Sequence, residues 1–132
     1  MSNIIQKASV GLLALLMVVF GLNKFFGFIA VDPPADPVAQ QFMGAMFTTY
    51  LFKVVAIAEI VGGILLIIPR TMLVGWIILL PVVFNIVAFH IAHDFVGNGI
   101  WLLPTTLFIA VGVFLKDKML SLVLAPQDSV HV

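Results

Sequence analysis

Residues Val83 to Asp94 read VFNIVAFHIAHD, an apolar run that holds an amide near its start and ends in two imidazoles and a carboxylate. Followed back to Thr71, it contains no Lys, Arg, Asp or Glu before Asp94, and about 20 such residues suffice for a helix to cross a hydrocarbon core. An ionisable group inside such a helix costs roughly 2.5 to 3.5 kcal/mol at its centre on insertion scales. The polar groups here therefore call for partners, and the rest of the apolar chain offers few: Lys24, Lys53 and Glu59.

Outward from this stretch, three further runs have the same character, over Ala8 to Phe28, Tyr50 to Ile68 and Ile100 to Leu115, beside Thr71 to Ala92 itself. Pro104 falls in the first turns of the last run, where proline is tolerated. Pro81 lies inside the third run, where it removes a backbone hydrogen bond and predicts a bend. Between the first two runs, DPPADP at 32–37 marks a turn, Asp36 reads as an N-cap with Pro37 at the first helical position, and Val38 to Thr49 predicts a short helix at the outer interface, continuing toward the second span. Pro69 with Arg70, and Phe95 to Gly99, are tight connections, which make neighbouring helices antiparallel. The expected architecture is an all-α, single-domain, transmembrane up-down four-helix bundle with a short interfacial helix between spans one and two. From Lys116 to Val132 the expectation is a turn or two of amphipathic helix followed by disorder.

Composition agrees with a bilayer setting. Hydrophobic residues make up 63% of the 132 and charged residues 9%, whereas a soluble surface carries about 25–35% charged side chains, which excludes a water-soluble monomer. The formal net charge is zero and no basic run is present, so no nucleic-acid partner is implied. The chain has no cysteine, which excludes disulfides, thiolate metal sites and the disulfide-to-quinone chemistry of other small four-helix membrane enzymes. No small-x-small site follows the first run, which reads as a retained span.

Lys7, Arg70, Lys116 and Lys118 collect at one side and Asp32, Asp36 and Asp94 at the other. The positive-inside rule places both termini in the cytoplasm of a multi-pass plasma (inner) membrane protein. Counted from Lys7 and Arg70 at about 1.5 Å per residue, Lys24 and Lys53 lie roughly 25 Å deep, Glu59 roughly 16 Å, Asn85 roughly 22 Å and His90 roughly 30 Å, so polar groups of three helices share the outer half of the span. On the second span Phe52, Ala56, Glu59, Gly62, Gly63 and Leu66 share one face, and the small residues beside the acid predict a helix neighbour there. Lys53 points about 120° away from Glu59 and can snorkel. Lys24 is the better counter-ion, with hydrogen bonding of a neutral Glu59 to Asn85 as an alternative.

His90, His93 and Asp94 are spaced i, i+3, i+4 and share one helix end, where a carboxylate can orient an imidazole. Two histidines leave a zinc site short of ligands, and His131 lies in the tail, so neither a metal nor a haem is expected. His90 lies about 140° from Asn85 around the helix, so only one of the two can face the bundle axis. His90, still within the apolar run, is the stronger candidate to touch a ligand or partner; Lys53, His93 and Asp94 are weaker ones.

GLNKFFGF at 21–28, FMGAMF at 42–47, AEIVGGILLIIPR at 58–70 and LLPVVFNIVAFHIAHD at 79–94 together resemble the DoxX family of small four-span membrane proteins, named for a subunit of thiosulfate:quinone oxidoreductase. The resemblance covers about residues 10 to 118 and rests on Gly21, Lys24, Glu59, Gly62, Gly63, Asn85, Phe89, His90 and Asp94; the chain departs from the pattern at His93 and Phe95. It implies an accessory subunit of a redox or respiratory, quinone-linked assembly, without a cofactor motif of its own and not catalytic alone, partnered by other membrane subunits or by further copies of itself. A quinone would be the group that Lys24, Glu59 and His90 approach, with Asn85 a further candidate of the same polar layer. A non-catalytic scaffold and a small transporter or proton channel are the alternative readings; no catalytic residue stands out.

Overall fold

A computed structural model of the chain describes residues 2–97 and 99–125. Among them are five helices and no strand: α1 (Ser2–Phe26), α2 (Pro37–Thr48), α3 (Leu51–Ile67), α4 (Met72–His93) and α5 (Leu102–Val123). Local chemistry sets their ends. Gly27 takes a left-handed φ of 62° and its N–H donates to Asn23 O at 2.7 Å, a C-terminal stop that favours glycine. The Asn23 amide then grips the chain that leaves the helix, accepting from Ile29 N at 2.6 Å and donating to Ile29 O at 3.2 Å. At the start of α2, Asp36 Oδ1 accepts from Val38 N at 3.2 Å with Pro37 in the first turn, as the sequence predicts. Thr71 closes the α3–α4 connection by donating its hydroxyl to Leu65 O at 3.0 Å.

Two boundaries depart from expectation. α1 begins at Ser2 rather than Ala8, so Lys7 is part of the helix. Beyond the apolar run that ends at Leu115, α5 continues through Lys116, Asp117 and Lys118 to Val123, about two further turns, as the sequence predicts. Charged residues with good helix propensity do not stop a helix, and no glycine or proline intervenes before Pro126. The disorder expected for 126–132, His131 included, lies outside the described residues. α2 does not run on into α3: the two are bent by 78° at Thr49 and Tyr50, where Phe47 and Phe52 pack edge to face at 4.4 Å. α4 is unbroken through Pro81.

The four long helices close a ring in the order α1, α3, α4, α5, each packed on two neighbours, and α2 lies against α3 and α4. Leu13 and Met17 of α1, Leu66 of α3, Leu79 and Val83 of α4, and Phe108, Val111 and Leu115 of α5 fill the centre. The α3–α4 seam is close because two glycines meet: a Cβ on Gly75 would sit 2.7 Å from Gly62 O and 2.8 Å from Leu66 N. Across α4 and α5, Trp76 stacks on Phe108 at 4.6 Å and donates its indole N–H to Phe108 O at 3.0 Å, lying over Gly112, where a Cβ would collide with the indole.

Outside this core the surface is apolar. Only 28% of the most apolar window of α1 and 22% of that of α4 are buried in the protein, and Leu15, Ile57, Ile77, Phe84, Ile109 and Val113 point outward. Patches of this extent on a soluble monomer would be adhesive; hydrocarbon is their natural solvent. α1 and α4 are each long and apolar enough to cross a membrane, and the bent α2–α3 pair supplies a third crossing when taken as one unit.

The glycine seam makes a measurable claim. Gly75→Ala puts a methyl against backbone atoms that cannot step aside, and overpacking of this kind costs about 1–3 kcal/mol. Gly11, whose Cβ would meet nothing within 4 Å, is the matched control. Thermal unfolding in detergent should show a lowered midpoint for Gly75→Ala and none for Gly11→Ala; equal midpoints would contradict the seam.

Candidate functional site

The deepest polar feature is built where α1 and α3 come closest. A Cβ on Gly21 would lie 2.8 Å from Ala56 O and 3.2 Å from Glu59 Cβ, so only glycine lets the backbones approach this nearly. One turn later Lys24 reaches across, and its Nζ donates to Glu59 Oε2 at 2.7 Å. Glu59 is 1% exposed, the sole charged residue in the buried set, while the Lys24 side chain keeps 20% exposure. The same ammonium lies 5.8 Å from the centre of the Phe52 ring, within reach of a cation–π attraction. Ala56, Glu59, Gly62, Gly63 and Leu66 are the buried face of α3, the face that helical phase assigns. Lys53 is exposed and takes no part.

A second polar group forms at the other end of α4. His90 Nδ1 lies 2.7 Å from Ile86 O; a carbonyl only accepts, so Nδ1 carries the proton and Nε2 is left to face Asp94 Oδ2 at 3.8 Å, beyond a direct hydrogen bond. The ring stacks on Trp101 at 5.1 Å with an 18° interplanar angle and meets Phe89 edge-on at 5.3 Å. Trp101 is buried, and its Nε1–H is the buried side-chain polar atom among the described residues without a hydrogen-bond acceptor. Beside it, His93 Nδ1 and Asp36 Oδ2 are 2.9 Å apart, and Phe42 of α2 stacks on Phe89 at 5.7 Å. Asp36 thus uses one oxygen to cap α2 and the other to bind α4. The Val38 N–H, and after it His93, hold its carboxyl below the ordinary aspartate range, so it is ionised at neutral pH.

The single polar layer expected from depth divides into these two groups. Asn85 belongs to neither: it is exposed, and its amide donates to Pro81 O at 2.9 Å, within its own helix. The alternative of a Glu59–Asn85 hydrogen bond is therefore corrected; Asn85 is turned away from the ring and Glu59 has Lys24. The roughly 140° between Asn85 and His90 is resolved in favour of His90. The carboxylate that orients His93 is Asp36, 57 positions away in sequence, while Asp94 faces His90. Trp101 and Asn23 were not singled out by sequence. A tryptophan just ahead of a proline-bearing first turn is a weak signal, and its stacking on His90 depends on how α5 packs. Among the described residues no group of three or more His, Asp or Glu side chains converges as a metal ion would require.

Searches of protein-family models, curated proteins and solved structures return no match to this chain.

Breaking the α1–α3 pair strands a charge. Lys24→Met or Glu59→Leu alone should each destabilise the detergent-solubilised protein by about 3–5 kcal/mol, and the double replacement should recover much of that loss. Losses that simply add in the double variant would show that the two groups are independent.

Proposed function

We propose that the chain is a four-span, multi-pass protein of the plasma (inner) membrane with both termini in the cytoplasm, acting as an accessory subunit of a quinone-linked redox or respiratory assembly. The four-span reading rests on packing. α3 and α5 each lie between α1 and α4, so if those two cross the bilayer the helices wedged between them share the same slab. α3, of 17 residues, and the apolar part of α5 before Lys116 are short for a core about 30 Å thick, a deficit that snorkelling lysines and local thinning accommodate. The orientation rests on Lys7, Arg70, Lys116 and Lys118 at one end against Asp32, Asp36 and Asp94 at the other.

The redox setting is what the resemblance to the DoxX family implies, and one observation supports a ligand-facing role: the unpaired Trp101 N–H stacked beside His90. Buried polar groups are nearly always satisfied, and an orphaned indole donor suits a carbonyl acceptor such as a quinone head group or a partner's backbone. Lys24 and Glu59 are less suited, because they already satisfy each other. The same closure supports the scaffold alternative for the α1–α3 pair and weighs against a proton channel, since the one acid on the spans' inner faces is held by a lysine.

Two measurements test these parts separately. The cysteine-free chain accepts single cysteines: Asp32→Cys, in the exposed loop before α2, should react with an impermeant thiol reagent added outside, and Arg70→Cys should not; the reverse pattern overturns the orientation. For the site, Trp101→Phe keeps the stacked ring and removes only the N–H, so stability in detergent should hold. Binding of a short-chain ubiquinone analogue should fall by about fivefold, the worth of one hydrogen bond. Should wild type and variant bind the analogue equally, or neither bind it while partner subunits still co-purify, the scaffold reading stands instead.

A further inference from the structure

We infer that the cationic end of the ring holds a binding site for an anionic phospholipid of the cytoplasmic leaflet. A cleft of about 540 Å³ opens there between α1 and α5, with the start of α4 and the end of α3 at its back. That volume lies in the range of about 300–1,000 Å³ typical of small-molecule sites. Its chemistry is graded along the helix axes. Asn3, Gln6 and Lys7 on α1 and Lys118 on α5 form the mouth; one to two turns deeper the walls are Val10 and Gly11 on one side and Leu115 and Phe114 on the other. α1 passes from polar to apolar as it leaves its N-terminus, α5 as it is followed back from Lys118, and the two gradients coincide because these helices are neighbours.

A charged rim above an apolar floor selects an amphiphile. A free phosphate would leave the floor uncovered, and a neutral hydrocarbon would leave two ammonium groups unmatched. Neither Lys7 nor Lys118 has an ion-pair partner among the described residues, so both charges are available to a headgroup phosphate. Gly11 extends the room for a chain: a Cβ there would meet nothing within 4 Å. Basic pockets between membrane helices on the cytoplasmic side are where anionic headgroups bind. The inference rests on the proposed membrane topology, with this end cytoplasmic, and is independent of the quinone assignment, because the cleft is built from residues that the Trp101–His90 group does not use.

The test is retention of lipid by the full chain in mild detergent, read by native mass spectrometry with phosphatidylglycerol, phosphatidylcholine or inorganic phosphate added. Phosphatidylglycerol should be retained over phosphatidylcholine. Lys7→Gln combined with Lys118→Gln should weaken phosphatidylglycerol retention about tenfold or more while leaving the thermal midpoint in place. Gly11→Leu, which fills the floor without touching either charge, should also weaken it. Equal retention of the two lipids, or indifference to the lysine pair, overturns the site. Displacement by inorganic phosphate, or indifference to Gly11→Leu, overturns the role of the apolar floor and leaves only surface charge pairing.

Discussion

The structure depends on one ion pair placed where ions are least welcome. Glu59 is 1% exposed and Lys24 reaches it from the adjacent helix at 2.7 Å. In a low-dielectric interior neither charge is tolerable alone, and their mutual attraction compensates only when the geometry is good. The consequence is a fixed register. α1 can slide or rotate on α3 only by separating the pair, so the contacts on the same seam, Gly21 against Ala56 and Gly63 against Ala14 and Met17, are set by it. α3 then presents Gly62 to α4 on its other side. Small residues on both flanks make α3 a thin helix between two apolar ones, which is how helices associate where no hydrophobic effect separates lipid from side chain.

The remaining seams are held by different means. Trp76 joins α4 to α5 through a flat stack and one indole hydrogen bond, a large contact area with its polar atom satisfied. One carboxylate ties α2 at both its own cap and α4: Asp36 caps its helix and accepts from His93. A short helix of 12 residues has little stability of its own, so its position owes more to this tie and to the Phe42–Phe89 stack than to its sequence propensity.

What the sequence discloses follows from how local each feature is. The buried face of α3 is legible from Ala56 to Leu66, since 3.6-residue periodicity and small side chains around one acid define a face without knowledge of any partner. Lys24 follows because it is the lysine that helical phase does not turn away. Asn85 is not legible: a depth shared with Glu59 suggests a partner, yet its amide reaches only the carbonyl one turn back, an option open to any short polar side chain in a helix. The partner of His93 is not legible either: its acceptor, Asp36, arrives from the loop before α2. The far end of α5, by contrast, is legible: hydropathy marks where the apolar run stops, a helix ends only where backbone chemistry ends it, and Lys116 to Lys118 supply no such stop, so about two more turns follow.

A group satisfied inside the protein has little left to offer a ligand, and this sorts the polar residues by what they can do. Lys24 and Glu59 answer each other, Asn85 answers its own helix, and His93 answers Asp36; each is explained by the fold. The groups the fold does not answer lie at the two ends of the ring. At one, an indole N–H stacked against the His90 ring is buried without an acceptor among the described residues, a setting for a neutral carbonyl. At the other, two ammonium groups without an ion-pair partner among the described residues stand over an apolar cleft, a setting for an anion with a tail. The middle of the ring is closed by its own ion pair, so the side chains that hold the helices together are not the ones left with unanswered groups.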